Sequence, residues 1–404
     1  MTEDAPLAIG EKPPLHSSQS GNRPAMRIAR IAVPLLILAA GIYVHLHPAS
    51  YWTRFYFLAL AAALGVYLAV VLHGRIRDAA AIAASLLLGL AGVEFYYVHA
   101  YRTSFDSNTP GYSVYNPVLG WAPEHPGVYH HTKTDLKTGR VIVNVDYTID
   151  PHLTRKVDSS ADAPTIAFGG GSDTFGIGVP DSATLPQAFA DVTGRRLHVV
   201  NMAFSGYGPQ QFLRILESGL HDDILTRPRA FVFAALPELA ERVACNRGYT
   251  LNGPRYEMVD GKVTFRGTCG ERWILPLRWL FEATSMFDII AAPLDDQTVK
   301  QKLDLYIEVV IRAGQVAREK YGAPTIVFYL SHSGYPETGG YTDDQVIERL
   351  RAGGLTVIDG GLDLRDFPGQ DVFIPGDGHP TAVAHRMRAE KLRDGLAGVV
   401  DLAP

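Results

Sequence analysis

Thr165-Ile-Ala-Phe-Gly-Gly-Gly-Ser-Asp-Thr-Phe-Gly-Ile-Gly178 is the stretch that decides the fold. Its opening residues are a short apolar run stopped by glycines, which reads as a buried strand ending in a tight turn. Two glycine-loop chemistries are excluded. A phosphate-cradling loop needs Lys and then Ser or Thr at the start of a helix, and no lysine is present. A dinucleotide fingerprint needs G-x-G-x-x-G leading directly into a helix, and the glycines do not fall there. What remains is a serine at a glycine-flanked turn just past a strand. The glycines clear side chains from around Ser172, which exposes its hydroxyl and lets backbone N–H groups approach a developing oxyanion. A serine alone is as readily a turn former.

The same texture continues on the C-terminal side of that turn. Further apolar β-runs are Leu197 to Ala203, Ala230 to Leu236, Thr325 to Leu330 and Leu355 to Asp359. Between them fall amphipathic helical patterns at Leu185 to Thr193, Gln210 to Leu220, Val299 to Lys320 and Asp344 to Ala352, with Ala382 to Leu396 closing the chain. Strands alternating with helices predict an α/β domain, residues 163–404, built on a parallel sheet covered on both faces. Residues 245–296 break the alternation and read as an insertion carrying Cys245, Cys269, Trp273 and Trp279. On the N-terminal side, residues 102–162 are rich in Tyr, His, Pro and Thr. One alternating stretch there, Val141 to Ile149, reads as a strand, which predicts a small β-rich lead-in that docks on the α/β domain.

Before that come three apolar runs, Ile31 to Leu46, Phe55 to Leu72 and Ala79 to Val98. They predict a three-helix transmembrane segment over residues 28–101 behind a cytoplasmic tail of residues 1–27. Arg23, Arg27 and Arg30 precede the first run, and Arg75 and Arg77 lie between the second and third, so positive-inside reasoning places everything after Tyr101 outside the cytoplasm. No small-residue cleavage site follows the first run, which argues against a signal peptide. Glu94 is expected near an interface, beside the aromatic belt of Phe95, Tyr96, Tyr97 and Tyr101. Three short-looped spans with one acidic residue offer few polar groups for a transport pathway. They read as an anchor, and as a docking surface for a partner membrane protein.

The whole chain has 404 residues, 47% of them apolar, with 37 basic against 42 acidic residues and a net charge of −5. That is enough apolar material for a full core, and the charge is wrong for a phosphate backbone, so nucleic acid is not an expected partner. The only two cysteines both fall in the predicted external domain. An even count in an oxidising compartment predicts one disulfide between Cys245 and Cys269, with two buried thiols as the alternative.

In open parallel sheets ligands gather at the carboxyl ends of the strands. Near the C-terminus, Ile374-Pro-Gly-Asp-Gly-His-Pro-Thr381 runs into the last helix. Its spacing lets the Asp377 carboxylate meet the imidazole Nδ1–H of His379 and leaves Nε2 free to accept a proton. Together with Ser172 this makes a nucleophile, base and orienting acid.

Here the chain resembles the GDSL/SGNH hydrolase family. Phe168 to Val179 looks like the family's first block, in the branch with Gly in place of the Asp before the serine. Val199-Val-Asn-Met-Ala-Phe-Ser-Gly-Tyr-Gly208 resembles the second, and Asp377-Gly378-His379-Pro380 the last. The resemblance implies a flavodoxin-like parallel-sheet domain with Ser172 as nucleophile, His379 as general base and Asp377 as its partner. Gly206 and the N–H of Ser172 would serve the oxyanion hole, and the chemistry needs no cofactor and no metal. The third block is divergent. The family offers an Asn side chain after the third strand, whereas Ala234-Ala-Leu-Pro-Glu-Leu-Ala-Glu-Arg242 has none. Losing such a donor costs about 3 to 4 kcal/mol in the transition state. Arg242 and Asn246 are the nearby candidates to replace it. Asp173, directly after the serine, is a further departure.

The expectation is a membrane-anchored, extracytoplasmic serine esterase or O-acyltransferase in the cell membrane, with its C-terminal domain periplasmic or extracellular. It would act on acyl esters of envelope glycan or lipid through an acyl-serine intermediate. The alternative is a catalytically inactive SGNH-like domain that binds glycan or organises envelope assembly, for which the missing Asn speaks.

Overall fold

The structure is a computed structural model that describes residues 23–46, 52–102, 105–273, 297–330, 333–363, 365, 369 and 371–403. The chain forms two compact units, Met1–Tyr96 and Tyr97–Pro404.

The first unit is helical: α1 (Arg23–Leu46), α2 (Thr53–Val71) and α3 (Gly74–Tyr97). Two helices, Thr53–Val71 and Gly74–Ala100, are long and apolar enough to cross a membrane. This corrects the expectation of three spans. The described apolar part of α1, Arg30–Leu46, is shorter, and at 1.5 Å per residue it reaches about 25 Å, less than the roughly 30 Å of hydrocarbon. Only Leu72 and His73 separate α2 from α3, so the two form a tight hairpin. A Cβ on Gly65 would lie 2.9 Å from that of Ala84, the close approach that small residues allow between apolar helices. Glu94 is buried, at 1% exposure.

In the second unit, β1 (Phe105–Asn108), β4 (Gly127–Asp135) and β5 (Val141–Ile149) make a three-stranded antiparallel sheet, and β2 (Val114–Asn116) pairs with β3 (Gly120–Ala122). Then follows a five-stranded sheet of β6 (Thr165–Gly169), β7 (His198–Asn201), β8 (Pro228–Ala235), β11 (Thr325–Tyr329) and β12 (Thr356–Asp359), in spatial order β12-β11-β8-β6-β7 and parallel throughout. This is the flavodoxin-like order, whose direction reverses between β6 and β8. Between β8 and β11 the hairpin β9 (Pro254–Val259) and β10 (Lys262–Thr268) is closed off by a Cys245–Cys269 disulfide with a Cα–Cα distance of 5.5 Å. Trp279 and the rest of the predicted insertion beyond Trp273 lie outside the described residues.

The three central strands, β6, β8 and β11, are apolar in both registers because both faces are covered. Ile166, Phe168, Val232, Ala234, Ile326 and Phe328 face one side, packed by α5 (Leu185–Val192) and the C-terminal helix Ala382–Leu396. The alternate residues Ala167, Phe231, Phe233, Val327 and Tyr329 face the other, against α6 (Pro209–Ser218) and the long helix Val299–Tyr321. Each of the fully buried phenylalanines contributes about 2 to 3 kcal/mol of burial. The loop after β6 is thereby fixed at the carboxyl edge of a rigid sheet.

Candidate active site

Ser172 opens a four-residue helix, α4 (Ser172–Phe175), directly past the glycines that end β6. It therefore sits at the point where the strand order reverses, the place where open α/β sheets hold ligands. A cleft of about 640 Å³ lies there. Gly171, Ser172 and Asp173 line it from the first loop, and Asp377, Gly378 and His379 from the last. Leu236, Leu239, Leu330, Leu362 and Phe373 supply apolar wall, and Arg242 and Arg388 bring charge.

The last loop folds on itself. The N–H groups of Asp377 and Gly378 both donate to the Ile374 carbonyl at 3.0 Å, and Ile374 N–H donates to His379 O at 2.8 Å. This turn holds His379 Nδ1 2.6 Å from Asp377 Oδ2. The Asp377 side chain is only 3% exposed, and its second oxygen accepts from Lys133 Nζ at 2.6 Å. Burial raises the carboxyl pKa, but hydrogen bonds and charge from His379 and Lys133 outweigh it and hold the group well below the usual carboxylate range. Asp377 is therefore an anion with both oxygens directed. The nearby His385 is a different kind of histidine: it is 1% exposed, and burial followed by the Arg388 charge pushes it down to about 3. It stays neutral and does not line the cleft.

Asp173 turns toward the cleft. Burial raises its carboxyl pKa, opposed by the charges of His379, Arg388 and Arg242. Arg388 is 4% exposed, donates from Nη2 to the Leu330 carbonyl at 3.3 Å, and has no partner for Nε or Nη1 among the described residues. Gly206 is not among the cleft-lining residues, and Trp121 lies 3.1 Å from where a Cβ on it would be, but the carbonyl of the next residue, Tyr207, comes within 2.9 Å of where a Cβ on Gly171 would be. Asn246 is also elsewhere, its amide donating to Glu241 Oε2 at 2.7 Å.

Two residues that the sequence did not single out hold this site from the lead-in segment. Lys133 on β4 is one. The other is Arg155, whose backbone bridges Ile149 and Asn201 and so links the antiparallel sheet to the edge of the parallel one. The Arg155 side chain is fully buried. It donates to the carbonyls of Phe175, Gly176 and Val179 at 3.0, 2.8 and 2.9 Å and to Asp181 at 3.0 Å. The loop after Ser172 is thus pinned carbonyl by carbonyl. Tyr147 on β5 adds a further tie, its hydroxyl accepting from Gly178 N–H at 2.9 Å.

No protein-family model and no curated protein matches the chain. Solved structures similar to part of it include a member of the lipolytic protein G-D-S-L family from Veillonella parvula, at 17% identity over 57% of this chain and 97% of that one, with a TM-score of 0.35. The psychrotrophic esterase EstA from Pseudoalteromonas sp. is similar at 10% identity over 58% and 97%, TM-score 0.35. The salicylyl-acyltransferase SsfX3 from a tetracycline biosynthetic pathway is similar at 14% identity over 73% and 78%, TM-score 0.31.

Proposed function

We propose that this chain is a membrane-anchored serine esterase or O-acyltransferase of the GDSL/SGNH kind, acting outside the cytoplasm. The observation that carries the reading is the Asp377–His379 pair, 2.6 Å apart, in the same cleft as Ser172. Support also comes from the three sequence blocks in family order.

In this mechanism Ser172 Oγ attacks the ester carbonyl carbon while its proton passes to His379 Nε2, and the carbonyl π pair moves onto oxygen. Asp377 orients the imidazole through Nδ1–H and stabilises the imidazolium that forms. Collapse of the tetrahedral species breaks the bond to the alkoxy leaving group, which takes the proton from His379. Water or a sugar hydroxyl then repeats the sequence on the acyl-serine. Hydrolysis and transfer use the same residues and differ in how well water is excluded. The apolar wall of Leu236, Leu239, Leu330, Leu362 and Phe373 suits the acyl portion, and the open side suits a larger glycan or lipid acceptor.

Two features favour the extracytoplasmic setting. Arg75 and Arg77 follow the turn between the two long apolar helices, and basic residues favour the cytoplasmic side, which puts the end of α3 on the other. The Cys245–Cys269 disulfide suits an oxidising compartment. The test is labelling of the detergent-solubilised full chain with a fluorophosphonate probe. Wild type is expected to label, and Ser172→Ala and His379→Ala are expected not to. A folded wild type that takes no probe would overturn the reading in favour of a binding domain.

A further inference from the structure

We propose that the guanidinium of Arg242 is the oxyanion donor of this site, standing where the family resemblance calls for an Asn side chain. The inference rests on the acyl-serine reading above. Arg242 lies on the short helix Ala240–Val243 after β8, the strand that flanks β6, and it lines the same cleft as Ser172 and His379. Its Nη1–H donates to the Tyr207 carbonyl at 2.6 Å, one residue past Gly206. The guanidinium therefore stands between the Ser172 turn and the loop of the second block. Asn246, the other candidate, is tied to Glu241 and does not line the cleft.

Gly171 fits this arrangement. A Cβ there would lie 2.9 Å from Arg242 Nη1 and 2.9 Å from the Tyr207 carbonyl oxygen, so a side chain on the residue before the nucleophile would press on the guanidinium and on the carbonyl that holds it. Arg242 has no ion pair within 4 Å among the described residues, and only Nη1 is hydrogen-bonded, which leaves Nε–H and Nη2–H for a ligand. The donor is also held in place beforehand. The neighbouring Glu241 accepts from the Tyr335 hydroxyl at 2.6 Å, Asn246 at 2.7 Å and Lys302 Nζ at 3.1 Å, which fixes the short helix that bears Arg242. A permanently charged, preorganised donor gains most when negative charge develops in a desolvated cleft.

The experiment uses the full chain in detergent, with p-nitrophenyl acetate as substrate and the fluorophosphonate as a second probe of Ser172. Arg242→Gln is expected to lower kcat by about 100- to 1000-fold with KM changed by less than about threefold, and to slow labelling in parallel. Arg242→Lys, which keeps the charge but not the fork, is expected to fall between the two. Arg242→Ala should regain activity when guanidinium is added at millimolar concentration, a rescue that a purely structural role would not produce. Retention of kcat by Arg242→Gln within about threefold of a wild type that labels at Ser172 would overturn the assignment and leave the acyl-serine reading intact. A folded wild type that neither hydrolyses nor labels would overturn both.

Discussion

Lys133 and Asp377 are 244 residues apart in sequence, and their side chains meet at 2.6 Å. The orienting acid of the proposed triad is therefore shared between two elements, its Oδ2 directed to His379 and its Oδ1 to a strand of the lead-in sheet. Lys133 fixes which way the carboxylate turns. The lead-in is in this sense part of the site.

Lys133→Met is accordingly expected to cost on the order of 2 to 4 kcal/mol, because it leaves a nearly buried carboxylate with one partner fewer. It should also lower kcat for ester hydrolysis about tenfold by freeing the orientation of Asp377. Esterase assays and thermal unfolding of the two proteins check both.

The same pair fixes a pH dependence. The folded-state pKa of Asp377 is depressed, so its contribution to stability is present above the ordinary carboxylate value and is lost as pH falls through the folded value. Because the two proteins share an unfolded state, the stability gap between wild type and Lys133→Met should be full at neutral pH and close only as pH falls through the folded Asp377 value of the variant and then the lower one of wild type. NMR titration of the Asp377 carboxyl in both proteins measures it, and a carboxyl that titrates no higher in Lys133→Met than in wild type would count against Lys133 acting through the Asp377 charge.

Arg155 makes a third prediction. Its guanidinium satisfies three carbonyls of the loop after Ser172 as well as Asp181, a fan of contacts that only a planar fork reaches. Arg155→Lys is expected to lose about 3 to 5 kcal/mol and to reduce fluorophosphonate labelling in the fraction that stays folded. Denaturant unfolding with tryptophan emission reads the first quantity. A variant as stable as wild type would show that the loop holds its shape without the fork.

The disulfide closes a loop with a sequence separation of 24, which by chain entropy stabilises the fold by about 3 kcal/mol. Cys245→Ser and Cys269→Ser are each expected to lose about that amount, and the double variant no more than either single one. In cells, thiol alkylation without reductant should leave the wild-type protein unmodified.

Much of this architecture is legible in the sequence, for physical reasons. The β-runs at Thr165, Ala230 and Thr325 stand out because strands buried on both faces are apolar at every position. Ser172 and the Asp377–His379 loop stand out because glycines flank them. Lys133 and Arg155 do not. β4 reads Gly-Val-Tyr-His-His-Thr-Lys-Thr-Asp, too polar to show the alternation that marks β5, and nothing local tells which face its lysine takes. Arg155 lies between elements, and all its partners but Asp181 are backbone carbonyls, which leave no trace in residue types. The available signal was the strand spacing that puts His131 and Lys133 on one face of β4, two residues apart. The membrane segment failed at its first helix because an apolar run counted from Ile31 comes close to, but does not reach, the length of a bilayer.

The last prediction concerns how the two catalytic loops meet. Gly178, in the loop that Arg155 pins, has φ +82°, and a Cβ there would overlap the Ile374 side chain and come within 3.9 Å of Asp377 Oδ2. Gly178→Ala thus combines two costs: a left-handed backbone, about 1 to 2 kcal/mol, and a push on the turn whose Ile374 carbonyl holds Asp377 and Gly378. Gly139, in the turn between β4 and β5, separates them. Its φ is +70°, but a Cβ there would meet nothing within 4 Å. Both alanine variants should lose similar backbone energy, whereas only Gly178→Ala should lose kcat, because only there does the added methyl group shift the Asp377–His379 turn relative to Ser172. Equal stability losses with full kcat in both variants would mean that Ile374 absorbs the methyl group without moving its carbonyl, and that the packing of the two loops does not set the geometry of the site.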